Sequence, residues 1–176
     1  MHERAYTLVE LLVTISIVAI LATLALPSYF FLVNSSRHNA EINEFIGGAM
    51  LTRSEAVKRG QQTALCTSVD GTSCSTVANW DEGWIAFVDS NANDVRDSSE
   101  VLVKIREAMK SGFSFRSSGS IGKKIRFQAN GMPLESGTLT LCDPRGVSKV
   151  EAVIVTASGR AKRSDSAMGG GSLSCP

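Results

Sequence analysis

Ala5-Tyr6-Thr7-Leu8-Val9-Glu10-Leu11-Leu12 opens an apolar stretch that runs without a charged residue from Leu11 to Val33 and carries Pro27 inside it. A helix of this length spans roughly 35 Å, enough to cross a hydrocarbon core about 30 Å thick. The stretch therefore predicts a helix that water alone does not solvate. A secretory signal peptide needs a basic start, a short apolar core and a small-residue cleavage site behind it. Met1-His-Glu-Arg4 is weakly basic, and no such site follows the apolar run. A plain membrane anchor leaves Glu10 unexplained. A carboxylate at that edge either rests among lipid headgroups or answers a specific partner, and its position alone leaves both readings open.

Beyond Val33 the pattern becomes amphipathic. Ile42, Phe45, Ile46, Ala49, Met50, Ala56 and Val57 recur at helical spacing, with Arg37, Glu41, Glu44, Arg53 and Lys58 between them. Gly60 is the expected stop. One helix over 6–59, or two helices broken at Pro27, fits this pattern, because proline removes a backbone donor. After Gly60 the period is that of strands: 63–66, 84–88, 101–106, 113–116, 124–128, 138–141 and 150–156. Asn130-Gly131, Ser136-Gly137, Pro144-Arg-Gly146 and Ser158-Gly159 mark turns. No second helical pattern intervenes. The expected fold class is α+β, a long N-terminal helix packed on an antiparallel β-sheet or β-sandwich head.

A chain of 176 residues holds one domain of ordinary size. Net charge is +1, so no global field draws it to a polyanion. The charge is nevertheless segregated. Residues 1–102 carry 6 basic and 12 acidic side chains, and residues 103–176 carry 12 basic and 5 acidic. The basic half is either a set of solvated strand faces or a surface for an acidic partner. No phosphate-binding G-x-x-x-x-G-K-[ST], H-E-x-x-H or G-x-S-x-G motif is present, and the histidines are His2 and His38. Hydrolytic and nucleotide chemistry are not expected, and no cofactor is implied.

The N-terminal octet resembles the class III signal of type IV prepilins: a small residue, an aromatic, Thr-Leu-x-Glu and a long apolar helix. Three further stretches are similar to the GspH/FimT family of minor pilins and pseudopilins: Arg53-Ser-Glu-Ala-Val-Lys-Arg-Gly60, Gly83-Trp-Ile-Ala-Phe-Val-Asp89 and Gly159-Arg-Ala-Lys162. The resemblance covers nearly the whole chain and implies a type IV pilin-like fold. It implies a leader over 1–5, cut by a prepilin peptidase between Ala5 and Tyr6, and N-methylation of Tyr6. Here Ala5 replaces the usual Gly and Tyr6 the usual Phe. It also implies a helix over 6–59, transmembrane over about 11–33, and a β head over 60–176. Glu10, the fifth mature residue, would meet the Tyr6 amine of a neighbouring subunit, because a carboxylate in an apolar filament core needs a cation. The implied partners are other minor and major pilins, the peptidase, the inner membrane and DNA. The implied location is the bacterial inner membrane, with the head in the periplasm, and the pilus filament.

Four cysteines in a periplasm-facing head suggest disulfides, and of three possible pairings Cys66–Cys74 with Cys142–Cys175 is favoured. A zinc site is not expected. In Asp89-Ser-Asn-Ala-Asn-Asp-Val-Arg-Asp-Ser-Ser-Glu100, oxygen side chains at Asp89, Asn91, Asn93, Asp97 and Glu100 match the ligand spacing of a calcium loop. Asp94 stands where that loop requires Gly, and the favoured reading is a hairpin of local Asx turns. FimT-type members of the resembled family carry a Gly-Arg-x-Arg motif implicated in DNA binding during natural transformation. Here it would be Arg160 and Lys162, with Arg163 compensating for the lost guanidinium and Lys123, Lys124, Arg126, Arg145 and Lys149 extending the patch. The expected function is a minor pilin that helps prime a type IV pilus and sits at or near its tip. The alternatives are a DNA-binding minor pilin and a type II secretion pseudopilin.

Overall fold

The computed structural model describes residues 7–77, 79–145 and 150–175, with the backbone alone at 24–28. The chain divides into two compact units, Met1–Arg37 and His38–Pro176. The backbone of α1 (Leu8–Arg59) is helical throughout, Pro27 included. Its start is closed by a capping box: Thr7 Oγ1 accepts from the Glu10 amide at 3.2 Å, while Glu10 Oε2 accepts from the Thr7 amide at 3.3 Å. Its end is a Schellman turn, with Gly60 at φ +64° and the Gln61 amide donating to the Ala56 carbonyl.

Within the first unit the large apolar side chains described between Leu8 and Leu32 are all exposed. In the second unit α1 buries one stripe, Ile42, Phe45, Ala49 and Ala56, with Ile46 and Met50 packed beside it. Val57 departs from the expected stripe and is exposed.

Among the described residues eight antiparallel strands form two sheets. The first has the order β3-β2-β1-β5, from β1 (Thr63–Thr67), β2 (Trp84–Val88), β3 (Leu102–Arg106) and β5 (Lys124–Phe127). The second has the order β4-β6-β7-β8, from β4 (Ser114–Gly119), β6 (Gly137–Cys142), β7 (Val150–Val155) and β8 (Ala161–Ser164). Six strands fall at or within two residues of the sequence expectation, β4 runs three residues beyond its expected end, and β8 lies in the stretch read as a basic motif. Both sheets and the α1 stripe share one core, including Leu65, Trp84, Phe127, Phe115, Leu139 and Val153. At its centre Phe45 meets Trp80, Trp84 and Phe115 edge-on, at centroid distances of 5.4, 6.1 and 5.0 Å.

Close approach to the core requires glycine at position 48. A Cβ on Gly48 would lie 2.2 Å from the Trp84 ring, whereas one on Gly47 would meet nothing within 4 Å. Two disulfides close loops: Cys66–Cys74 beside the first sheet, and Cys142–Cys175, which returns the tail to β6. Each removes loop entropy from the unfolded chain, more for the longer loop.

Candidate functional site

Three groups of expected functional residues can be placed. At the N-terminus, Ala5 and Tyr6 lie outside the described residues. Glu10 occupies the first turn of α1, where its carboxylate accepts from the Thr7 backbone and lies beside the Thr7 hydroxyl. A negative charge there also complements the helix dipole. The cap is legible as Thr-x-x-Glu immediately before an apolar run, a signal hidden when Glu10 is read only as a charge awaiting a distant amine. Leu8, Val9, Leu11, Leu12, Val13, Ile15, Ile17, Val18, Ile20 and Leu21 surround the helix with exposures of 49–78%. Among the described residues no helix is long and apolar enough to cross a membrane. The expected span 11–33 includes 24–28, whose side chains lie outside the description.

The second group is the basic strand. In β8, Ala161 pairs with Val155 and turns into the core, Lys162 pairs with Ile154, and Arg163 pairs with Val153. Side chains alternate along a strand. Lys162 therefore occupies the outer face, and Arg163 the face of the core. There Arg163 Nε lies 3.4 Å from Glu151 Oε2. Sequence proximity does not make Lys162 and Arg163 one surface. Arg160, before β8, is exposed, and among the described residues neither it nor Lys162 has an ionic partner. Gly159 of the same motif is structural: at φ +80° it lies so near the Gly131 carbonyl and Arg53 that a Cβ would sit 2.6 and 2.9 Å from them. Arg53 Nε donates to Gly131 O at 2.9 Å. The motif stretches at 53–60 and 159–162 thus meet at one staple between the helix end and two turns.

The extended basic patch is largely neutralised within the chain. Lys124 Nζ contacts Asp94 at 2.7 Å, Arg126 is shared by Asp94 and Glu135, and Arg145 grips Asp143. Lys104 meets Glu44 at 2.7 Å, Arg106 meets Glu41 at 2.8 Å, and Arg116 meets Asp81. The segregation of charge along the sequence is therefore partly self-complementary: acidic residues of the first half face basic residues of the second. Lys123 is exposed, and Lys149 lies outside the described residues. Burial opposes ionisation of Asp94, but the hydrogen bonds from Lys124 and Arg126 outweigh it and hold its carboxyl below the usual carboxylate range. Asp143 behaves likewise: burial raises it, and Arg145 and then the charge of His38 lower it further.

The third group, the 89–100 loop, is a hairpin knotted by its own side chains. Asp89 accepts from the Asn93 and Asp94 amides and from Gln62; Glu100 accepts from Ser90 and from the Asp97 amide; Asn91 and Asn93 both donate to Asp97 Oδ2. These are Asx and capping interactions, with the side-chain NH2 groups turned toward Asp97. Among the described residues no group of three or more His, Cys, Asp or Glu is placed to hold a metal. Asp94, the residue out of pattern, adopts φ +66°, the left-handed conformation a Gly would supply, and directs its carboxylate to Lys124 and Arg126. It joins the hairpin to β5, a role its non-Gly identity could have signalled.

Comparison with known families places this architecture. The model described as "Type II transport protein GspH" matches residues 41–159, and that of the prokaryotic N-terminal methylation motif matches residues 1–26. The chain belongs to the GspH family. Its fold is that of two solved relatives. The type IV minor pilin FimU of Pseudomonas aeruginosa superposes with a TM-score of 0.53 at 15% identity, covering 74% of this GspH-family chain and 87% of FimU. The minor pseudopilin EpsH of the type 2 secretion system of Vibrio cholerae superposes with a TM-score of 0.54 at 12% identity, covering 73% and 96%. No curated protein sequence matches it. The chain thus combines a GspH-family head with an N-terminal methylation motif, in the fold shared by FimU and EpsH.

Proposed function

We propose that the chain is a minor pilin of a type IV pilus, carried into the filament by the N-terminal half of α1 and displaying its β head at or near the tip. One observation carries this reading: from Leu8 to Leu32 the described apolar side chains are exposed on every side of the helix. A helix apolar all round is stable only when covered by lipid or by other helices. An inner-membrane stage followed by a filament core supplies both in turn. Cleavage between Ala5 and Tyr6 frees the Tyr6 amine, methylation leaves it cationic, and Glu10 receives the amine of a neighbour.

The self-neutralised basic half favours a structural subunit over a DNA receptor. After Arg163 is engaged by Glu151, a DNA surface rests, among the described residues of the patch, on Arg160, Lys162 and Lys123. Deleting the gene and following two outputs tests the proposal. Loss of surface pili and twitching with intact exoprotein release is expected; the opposite pattern would assign the chain to secretion. A salt series with duplex DNA and the Arg160→Ala/Lys162→Ala variant decides the remaining reading. Weak binding that the variant leaves unchanged is expected, whereas salt-steep binding lost in the variant would make DNA capture the function.

A further inference from the structure

His38 is fully buried in the second unit. Its Nδ1 lies 3.4 Å from Asp143 Oδ2 and its Nε2 lies 3.6 Å from Glu151 Oε2. Both ring nitrogens therefore face carboxylate oxygens. A neutral imidazole has one N–H and one lone pair, so one of those faces would set a lone pair against a carboxylate in a site without solvent. The doubly protonated ring presents a donor to each. The carboxylates are themselves flanked: Arg145 grips Asp143 from beyond the end of β6, and Arg163 of β8 reaches Glu151 of β7. Charges alternate across the cluster in the order Arg145, Asp143, His38, Glu151, Arg163. On α1 the neighbouring Glu41 is turned to Arg106 of β3.

We propose that His38 is an imidazolium that latches α1 to the second sheet and makes the stability of the head depend on pH. Burial opposes the charge, and the two facing carboxylates overcome it. The latch contributes fully below the titration of an unfolded histidine, about pH 6.5, and is lost as pH rises through the titration of the folded ring. Alkali leaves two poorly solvated carboxylates and a ring that no longer bridges them.

The test uses the full chain in detergent micelles with 15N-labelled histidine. There are 2 histidines, and a His2→Ala variant assigns the spectrum. His38 is expected to show both ring nitrogens protonated at neutral pH and to lose its charge at higher pH than His2. The thermal midpoint is expected to fall by about 4 °C across that titration, with His38→Gln flattening the profile. A His38 ring that is a single neutral tautomer at pH about 6.5 overturns the proposal, and so does an alkaline stability profile identical in wild type and His38→Gln. If the variant does not fold, the wild-type ring spectrum decides alone.

Discussion

The two halves of α1 are one backbone with opposite relations to the rest of the chain. From Leu8 to Leu32 the described large apolar side chains point in every direction and lie exposed; from His38 to Arg59 a single stripe is buried under two sheets. Amphipathicity in the second half means that the partner is in the same chain. Uniform apolarity in the first half means that the covering must come from elsewhere. Stability of the head and incorporation into an assembly should therefore separate along this helix.

The sharpest way to break the comparison is to truncate one aromatic in each half. Phe45→Ala removes the ring at the centre of the edge-on cluster and should cost the head about 4 kcal/mol in denaturant unfolding. Phe30→Ala should leave that transition unchanged and reduce recovery of the chain in sheared filaments. Equal losses of stability would erase the division. Next, the adjacent glycines read the two sides of the helix. Gly48→Ala drives a methyl into Trp84 and should destabilise by about 2 kcal/mol, overpacking exceeding the gain in helix propensity. Gly47→Ala, in open space, should stabilise by up to about 1 kcal/mol.

A smaller effect sharpens the role of Glu10. Glu10→Ala removes both the cap and the charge; Glu10→Gln keeps an acceptor for the Thr7 amide and removes only the charge. Helix content measured by circular dichroism should fall in the first by the equivalent of about 1 kcal/mol and hardly in the second. Filament incorporation should fail in both if the charge meets a neighbouring amine. Incorporation retained in Glu10→Gln would leave Glu10 as a cap alone.

The smallest effect is acid lability confined to the head. Asp94 and Asp143 are held below the usual carboxylate range when folded. Their contribution is present above the unfolded value, about pH 4, and is lost as pH falls through the folded values. Asp94→Asn should flatten the acid limb of the head's stability while leaving the helical signal of the first half unchanged.

Much of this was legible in the residues. The apolar run, the Gly60 stop and seven strands follow from periodicity and turn chemistry, which are local. The favoured cysteine pairing is the one present in the structure. The basic motif was harder to read. Gly159-Arg-Ala-Lys-Arg163 has the composition of an anion site, yet it contains a strand whose alternation sends Arg163 toward Glu151 and whose glycine fits against Arg53. The spacing of oxygens at Asp89–Glu100 suggests ligands, whereas their partners are backbone and side-chain amides of the same hairpin and the amide of Gln62. In both cases the residue types were right for more than one chemistry, and the partners that chose between them lie in other strands or across a turn.

By itself the sequence determined an apolar helical half, an amphipathic helical half and an antiparallel β head, and left one helix or two open at Pro27, which the structure resolves as one. Those properties depend on side-chain period, glycine and the solvation of hydrocarbon, which act within a few residues. Only the tertiary structure decided which charges are spent on one another. Lys104 reaches Glu44, Arg126 reaches Asp94, and His38 stands between Asp143 and Glu151. Electrostatic pairing depends on distance in space, and the sheets bring together residues tens of positions apart in the chain.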